Sequence, residues 1–95
     1  MKRAVSWSRR ALRDVKDQVD FIAADDIIAS ARVATTLRKS GTDLGRFSTG
    51  RPGRDLGLLE KSVSRLPYII VYAIRGDSIV ILRVIHTSLD WKGEV

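Results

Sequence analysis

The sequence predicts an α+β domain in which a hairpin of two helices lies against one face of a mainly antiparallel sheet. Three observations lead there. Apolar residues recur at helical spacing from Leu12 to Leu37, and beyond the segment TGRPGRDLG at residues 49–57 the texture changes to β-branched apolar runs. Helices followed by a run of strands are the pattern of α+β rather than alternating α/β architecture. The third is size: 95 residues, 44% hydrophobic and 29% charged, suffice for one modest core and not for two, so residues 1–95 read as a single domain.

Each element has its own signal. Ala4, Val5, Ser6 and Trp7 alternate apolar and polar, which is a short strand, and Ser8 then offers the oxygen of a helix N-cap. Leu12, Val15, Val19 and Ile22 follow at spacings of three, four and three, laying one apolar stripe along a first helix. Asp25 and Asp26 break that pattern and can cap a second helix, whose apolar face is Ile27, Ala31, Ala34 and Leu37 and which frays near Ser40 and Gly41. Residues 57–64, with Leu58, Leu59 and Val63, form a strand. Residues 67–74 are apolar on both faces, as a central strand must be. The Arg75-Gly76-Asp77-Ser78 turn sends residues 79–85 back as its hairpin partner, giving the order β-α-α-β-β-β.

The segment at 49–57 leads from a helix into a strand. That context excludes a phosphate-cradling nucleotide loop, which needs a strand before it and a helix after it. Its glycines serve geometry, Pro52 stiffens the turn, and Arg51 and Arg54 project donors that either pair with local acids or meet a partner.

Charge and missing residue types narrow the function. The net charge is +6, with Lys2, Arg3, Arg9, Arg10 and Arg13 preceding the first acid, and Asp14, Asp17, Asp20, Asp25 and Asp26 following against Lys16 alone. Arg46, Arg51 and Arg54 make a second acid-free cluster. Such regions either seek an anion or simply keep the surface solvated. There is no cysteine and the one histidine is His86, so disulfides and thiolate sites are excluded and neither a metal nor a cofactor is expected. Lys2 and Arg3 precede no apolar leader and no window approaches a membrane span, so a cytoplasmic setting without membrane contact is expected.

A strand ending in Trp7, a helix capped by Ser8, the loop G-R-P-G-R-x-x-G from Gly50 to Gly57 with Glu60 soon after, L-P-Y-x-I-x-Y through Tyr72, a Gly76-Asp77 turn, and I-L-R-V-I-H-x-S-x-x-W through Trp91 resemble the ParE branch of the RelE/ParE toxins. The resemblance covers nearly the whole chain. It implies the toxin of a bacterial type II toxin–antitoxin module, held in check by a cognate antitoxin whose dimeric N-terminal domain binds operator DNA. ParE-type toxins are known for poisoning DNA gyrase without catalysis, and on that reading the chain reaches DNA only through the antitoxin or gyrase. RelE-type toxins instead cleave messenger RNA on the ribosome. Three departures bear on the branch. Ile69 follows Tyr68 where RelE-type enzymes commonly place an arginine, Leu89 stands where many relatives carry arginine, and Leu58-Leu59-Glu60 replaces a common Thr-Arg-Glu; Phe47 or Ser48 also stands where relatives usually have a proline.

Metal-free RNA cleavage needs a base for the 2′-hydroxyl and cations for the phosphorane charge, and here His86 and Arg83 are the groups that could serve. The alternative for His86 is a hydrogen bond at the sheet edge. Trp91 reads as a core or interface anchor, and Tyr68 and Tyr72 share one strand face by period two and pack against the helices or the antitoxin. Glu60 reads as a surface charge or as the partner of a loop arginine. Arg51, Arg54, Glu60, Tyr68, Tyr72, Arg83, His86 and Trp91 are thus the candidate contacts with antitoxin or target.

Overall fold

The structure is a computed structural model that describes residues 2–48, 51–53 and 57–88, with the backbone but not the side chain of Arg51. Its elements are β1 (Ala4–Trp7), α1 (Arg9–Ala23), α2 (Ile27–Asp43), β2 (Arg51–Pro52), β3 (Leu59–Ser62), β4 (Tyr68–Arg75) and β5 (Ser78–His86). The strands form one sheet in the order β1-β5-β4-β3-β2, antiparallel throughout except for the parallel pair β1–β5. The two helices pack on one face, as the α+β reading requires.

Both helix starts are where the capping residues stand. The Ser8 hydroxyl accepts from the Ala11 N–H at 3.0 Å, and the Asp26 carboxylate accepts from the Ala29 N–H at 3.0 Å. The faces the helices bury match the expected stripes only in part: Leu37 is fully buried and Val15 packs against the core, but other positions depart from them. On α1, Ala11 is fully buried while Leu12 is 55% exposed. On α2, the buried residues are Ser30, Leu37 and Gly41, with Leu44 just beyond, whereas Ile27 is 72% exposed and Ala31 is exposed. The helix does not fray at Gly41 but continues to Asp43, because Gly41 is its contact point. A Cβ there would lie 2.3 Å from Trp7 Cζ2 and 2.8 Å from Ile81 Cδ1. Ser30 tolerates burial because its hydroxyl donates to the Ile27 carbonyl at 2.7 Å.

The segment at 49–57 is more than a connector. Arg51 and Pro52 pair with Glu60 and Leu59 as a fifth, edge strand, and the Gly53 N–H donates to the Leu58 carbonyl at 2.8 Å. The strand expected over 57–64 is the shorter β3. The central position of β4 is as read: Tyr68, Ile70 and Tyr72 join Ile79, Ile81 and Val84 under the helices, while Val71 and Ile85 are buried on the opposite face with Leu58 and Ile69. Tyr72 pairs with Ile81 and Val71 with Arg83, so Leu82 is an extra residue and β5 bulges there.

Candidate functional site

A bulge frees ladder groups that need other partners, and α1 provides them. Ser8 donates its backbone N–H to the Ile81 carbonyl at 2.9 Å and its hydroxyl to the Leu82 carbonyl at 3.0 Å. Six residues further along, Asp14 Oδ2 accepts from the Val84 N–H at 2.9 Å and from Arg83 Nε at 2.8 Å, while Oδ1 accepts from Arg83 Nη2 at 3.3 Å. Arg10 stands 3.6 Å from the same carboxylate. The Asp14 and Arg83 side chains are 11% and 12% exposed, so this is a bidentate pair largely withdrawn from water. Arg83 is therefore structural in its position: it locks α1 onto the bulge.

Above this network the strand ends at His86. Its ring meets Tyr68 edge to face at 5.3 Å between centroids, and the Tyr68 hydroxyl donates to Gln18 Oε1 at 3.3 Å. The Ser88 N–H donates to His86 Nδ1 at 3.1 Å, and the Ser88 hydroxyl lies 2.7 Å from the same nitrogen. A backbone N–H can only donate, so Nδ1 is an acceptor and the proton of the neutral ring sits on Nε2. The hydrogen-bonding reading of His86 is the one this geometry matches. Tyr68 and Tyr72 do share a face, both buried beneath the helices, and burial pushes both phenols above their ordinary pKa.

Glu60 is not a surface charge. It is 5% exposed on β3, in register with Val71 on one side and Arg51 on the other, and its Oε2 stands 3.3 Å from where a Cβ on Gly53 would be. The absence of a side chain at Gly53 is what lets the chain close over this carboxylate. Arg83, His86 and Tyr68 thus gather on the α1 side of the sheet, whereas Glu60 lies across β4 near the opposite edge. Arg54, Leu89, Trp91 and the Arg51 side chain lie outside the described residues. Among the described residues no cluster of three or more acids or histidines could hold a metal, and no helix is long and apolar enough to cross a membrane.

A feature the sequence reading did not single out is a groove of about 430 Å³ between the helices. Trp7, Leu12, Val15, Val19 and Ala34 line it, and Lys16, Asp20 and Arg38 stand at its rim. Its trace in the sequence was the apolar stripe of α1, of which Leu12, Val15 and Val19 line the groove.

The profile of a family described as "ParE toxin of type II toxin-antitoxin system, parDE" matches residues 5–91. The chain belongs to the ParE toxin family. It is 34% identical over 91 residues, which are 95% of this chain and 94% of the other, to the Sinorhizobium fredii (strain NBRC 101917 / NGR234) protein named "Putative toxin Y4kP". The ParE fold itself recurs in a solved structure described as the "Chromosomal ParDE TA system from P. aeruginosa", with a TM-score of 0.84 at 19% identity, covering 90% of this chain and 96% of that one. The chain is accordingly a ParE-type toxin of the type II toxin–antitoxin class.

Proposed function

We propose that this ParE-type toxin acts by binding rather than by catalysis, that its target is DNA gyrase, and that a cognate antitoxin neutralises it in the cytoplasm. The observation that carries the non-enzymatic reading is the engagement of Arg83. The guanidinium that an RNase mechanism would need at the phosphorane is held bidentately by Asp14 within the fold. His86 Nδ1 is occupied by Ser88, and Ile69 stands where RelE-type enzymes carry a cation after Tyr68, so among the described residues this side of the sheet favours binding over RNA cleavage. Gyrase as the target rests on membership of the ParE family.

For the antitoxin the groove over Trp7 is the fitting surface. It offers aliphatic and indole walls with charged residues of both signs at the rim, which suits an amphipathic helix presenting apolar anchors. The P. aeruginosa structure is described as a toxin–antitoxin system, which favours such a partner. A Leu12→Asp variant is expected to weaken antitoxin capture at least tenfold by calorimetry while leaving the thermal midpoint close to that of the parent, Leu12 being already half in water.

The deciding experiment is a gyrase supercoiling assay with antitoxin-free chain, followed by detergent and protease to reveal trapped cleaved DNA. Loss of supercoiling with linear DNA is expected, and the same inhibition from His86→Ala. Intact supercoiling together with cut transcripts in a ribosome assay, abolished by His86→Ala, would instead establish the RNase reading.

A further inference from the structure

The fold sorts charge along the molecule. The tip of the helical hairpin carries Asp20, Asp25 and Asp26. At the other end, cations from three distant parts of the chain converge. Arg3 precedes β1. Its N–H donates to the Gly45 carbonyl at 2.7 Å, its Nε to the Gly76 carbonyl at 3.3 Å, and its Nη1 to Ser48 Oγ at 3.2 Å. Arg46 is the neighbour of Gly45 and Arg75 the neighbour of Gly76, so both stand within one residue of an Arg3 contact, and both are exposed. Lys2 adds an exposed ammonium beside Arg3. Asp43 is paired with Lys39 at 2.9 Å, and among the described residues the other acid near this group in the fold is Asp77, whose backbone carbonyl accepts from the Ala4 N–H. Among the described residues no carboxylate pairs with Arg3, Arg46 or Arg75.

We infer that this end is a binding site for the phosphodiester backbone of a nucleic acid, touched directly by the chain and not only through an antitoxin or gyrase. Three of its cations are guanidinium groups, whose planar forks match phosphate oxygens, and Arg3 is already anchored, so little side-chain freedom is lost on binding. Cations spread over three segments match an extended polyanion better than a single ion. Phe47, 68% exposed beside Arg46, presents a ring on which an unpaired base can stack, a contact for which an acidic peptide has no counterpart. The inference is independent of the gyrase reading and is tested without gyrase.

The test is fluorescence anisotropy of the full chain with a labelled single-stranded oligonucleotide and with its duplex, across a salt series. If Arg3, Arg46 and Arg75 each meet one phosphate, affinity falls roughly 20-fold for the single strand and roughly 40-fold for the duplex between about 50 and about 200 mM salt. An Arg46→Ala/Arg75→Ala double variant, its fold checked by circular dichroism, is expected to lose about two thirds of that salt slope. Arg9→Ala/Arg13→Ala, which removes the same charge from the exposed side of α1, is expected to retain it. Phe47→Ala weakens the single strand alone if bases stack there, and leaves both substrates unchanged if the duplex is the ligand. The inference is overturned if neither substrate binds at low salt, if the α1 double variant loses as much as the other, or if polyglutamate binds more tightly than both.

Discussion

Replacing Gly41 by alanine tests the packing on which both the helical layer and the groove depend. In an ordinary helix interior this change stabilises by about 1 kcal/mol, because glycine is entropically costly there. Here the new methyl would stand 2.3 Å and 2.7 Å from Trp7 Cζ2 and Cη2 and 2.8 Å from Ile81 Cδ1. Trp7 is a rigid bicycle on β1, and Ile81 is fully buried in the centre of the core, so neither can yield by a simple rotamer change. Overpacking of this kind costs typically 1–3 kcal/mol and sometimes more. After the helical gain is subtracted, a net loss of about 1 kcal/mol is expected, which in a chain of this size lowers the thermal midpoint by roughly 4–8 °C. Thermal unfolding followed by circular dichroism reads this directly. Shrinking the indole in the same chain, Trp7→Leu with Gly41→Ala, is expected to make the alanine neutral or favourable, since its obstacle is gone. An alanine variant as stable as the parent, with Trp7 intact, would refute the contact.

Three further outcomes follow from the network, the tyrosines and one turn. Asp14→Ala leaves the largely buried Arg83 guanidinium and the Val84 N–H without their carboxylate and is expected to cost about 3 kcal/mol by urea unfolding, whereas Asp14→Leu with Arg83→Met recovers a large part of it. Because burial raises the Tyr68 and Tyr72 phenols above the ordinary 10.0, both states keep those protons below that pH and the full stability is present; above it the unfolded chain deprotonates first, so the urea midpoint is expected to fall between pH 9 and pH 11 and to fall less in Tyr68→Phe. Arg65 holds a left-handed φ of 66° in the β3–β4 turn, so Arg65→Gly is expected to stabilise by up to about 1 kcal/mol in the same assay.

What was legible in the sequence is what local chemistry decides. Ser8 and Asp26 are capping oxygens immediately ahead of helical spacing, and β4 is apolar on both faces because it is central; either conclusion needs only a few neighbouring residues. The buried face of α2 was legible at Leu37 but not at Ser30 and Gly41, because an apolar-periodicity reading gives weight to size. Closeness to Trp7 is a property of two segments at once. The β5 bulge and its Asp14 clasp join residues 69 positions apart, and β2 is too short to show any period. The burial of Glu60 escaped for the same reason: it comes from strands on both sides, and a glutamate between Leu59 and Lys61 resembles any exposed strand position, while the pairing with a loop arginine stays open.

Among the described residues, those that look most chemical in the sequence are therefore ones the fold engages. Arg83 clasps a bulge, His86 closes a turn onto Ser88, Glu60 is enclosed against Gly53, and the tyrosines fill the space beneath the helices. On the binding reading the toxin must use surface, and among the described residues the apolar groove over Trp7 and the basic end around Arg3 offer it. Both touch the first segment of the chain, since Trp7 ends β1 and Arg3 immediately precedes it. Trp7 and Arg3 are four residues apart along an extended segment, about 13 Å at strand rise. A partner helix seated in the groove and continuing as an extended acidic tail would need about four residues to reach the arginines. Neutralisation and release of a nucleic acid would on this geometry be one event, and a titration of antitoxin into the oligonucleotide complex would show both with a single midpoint. Two separate midpoints would mean that the groove and the basic end work apart.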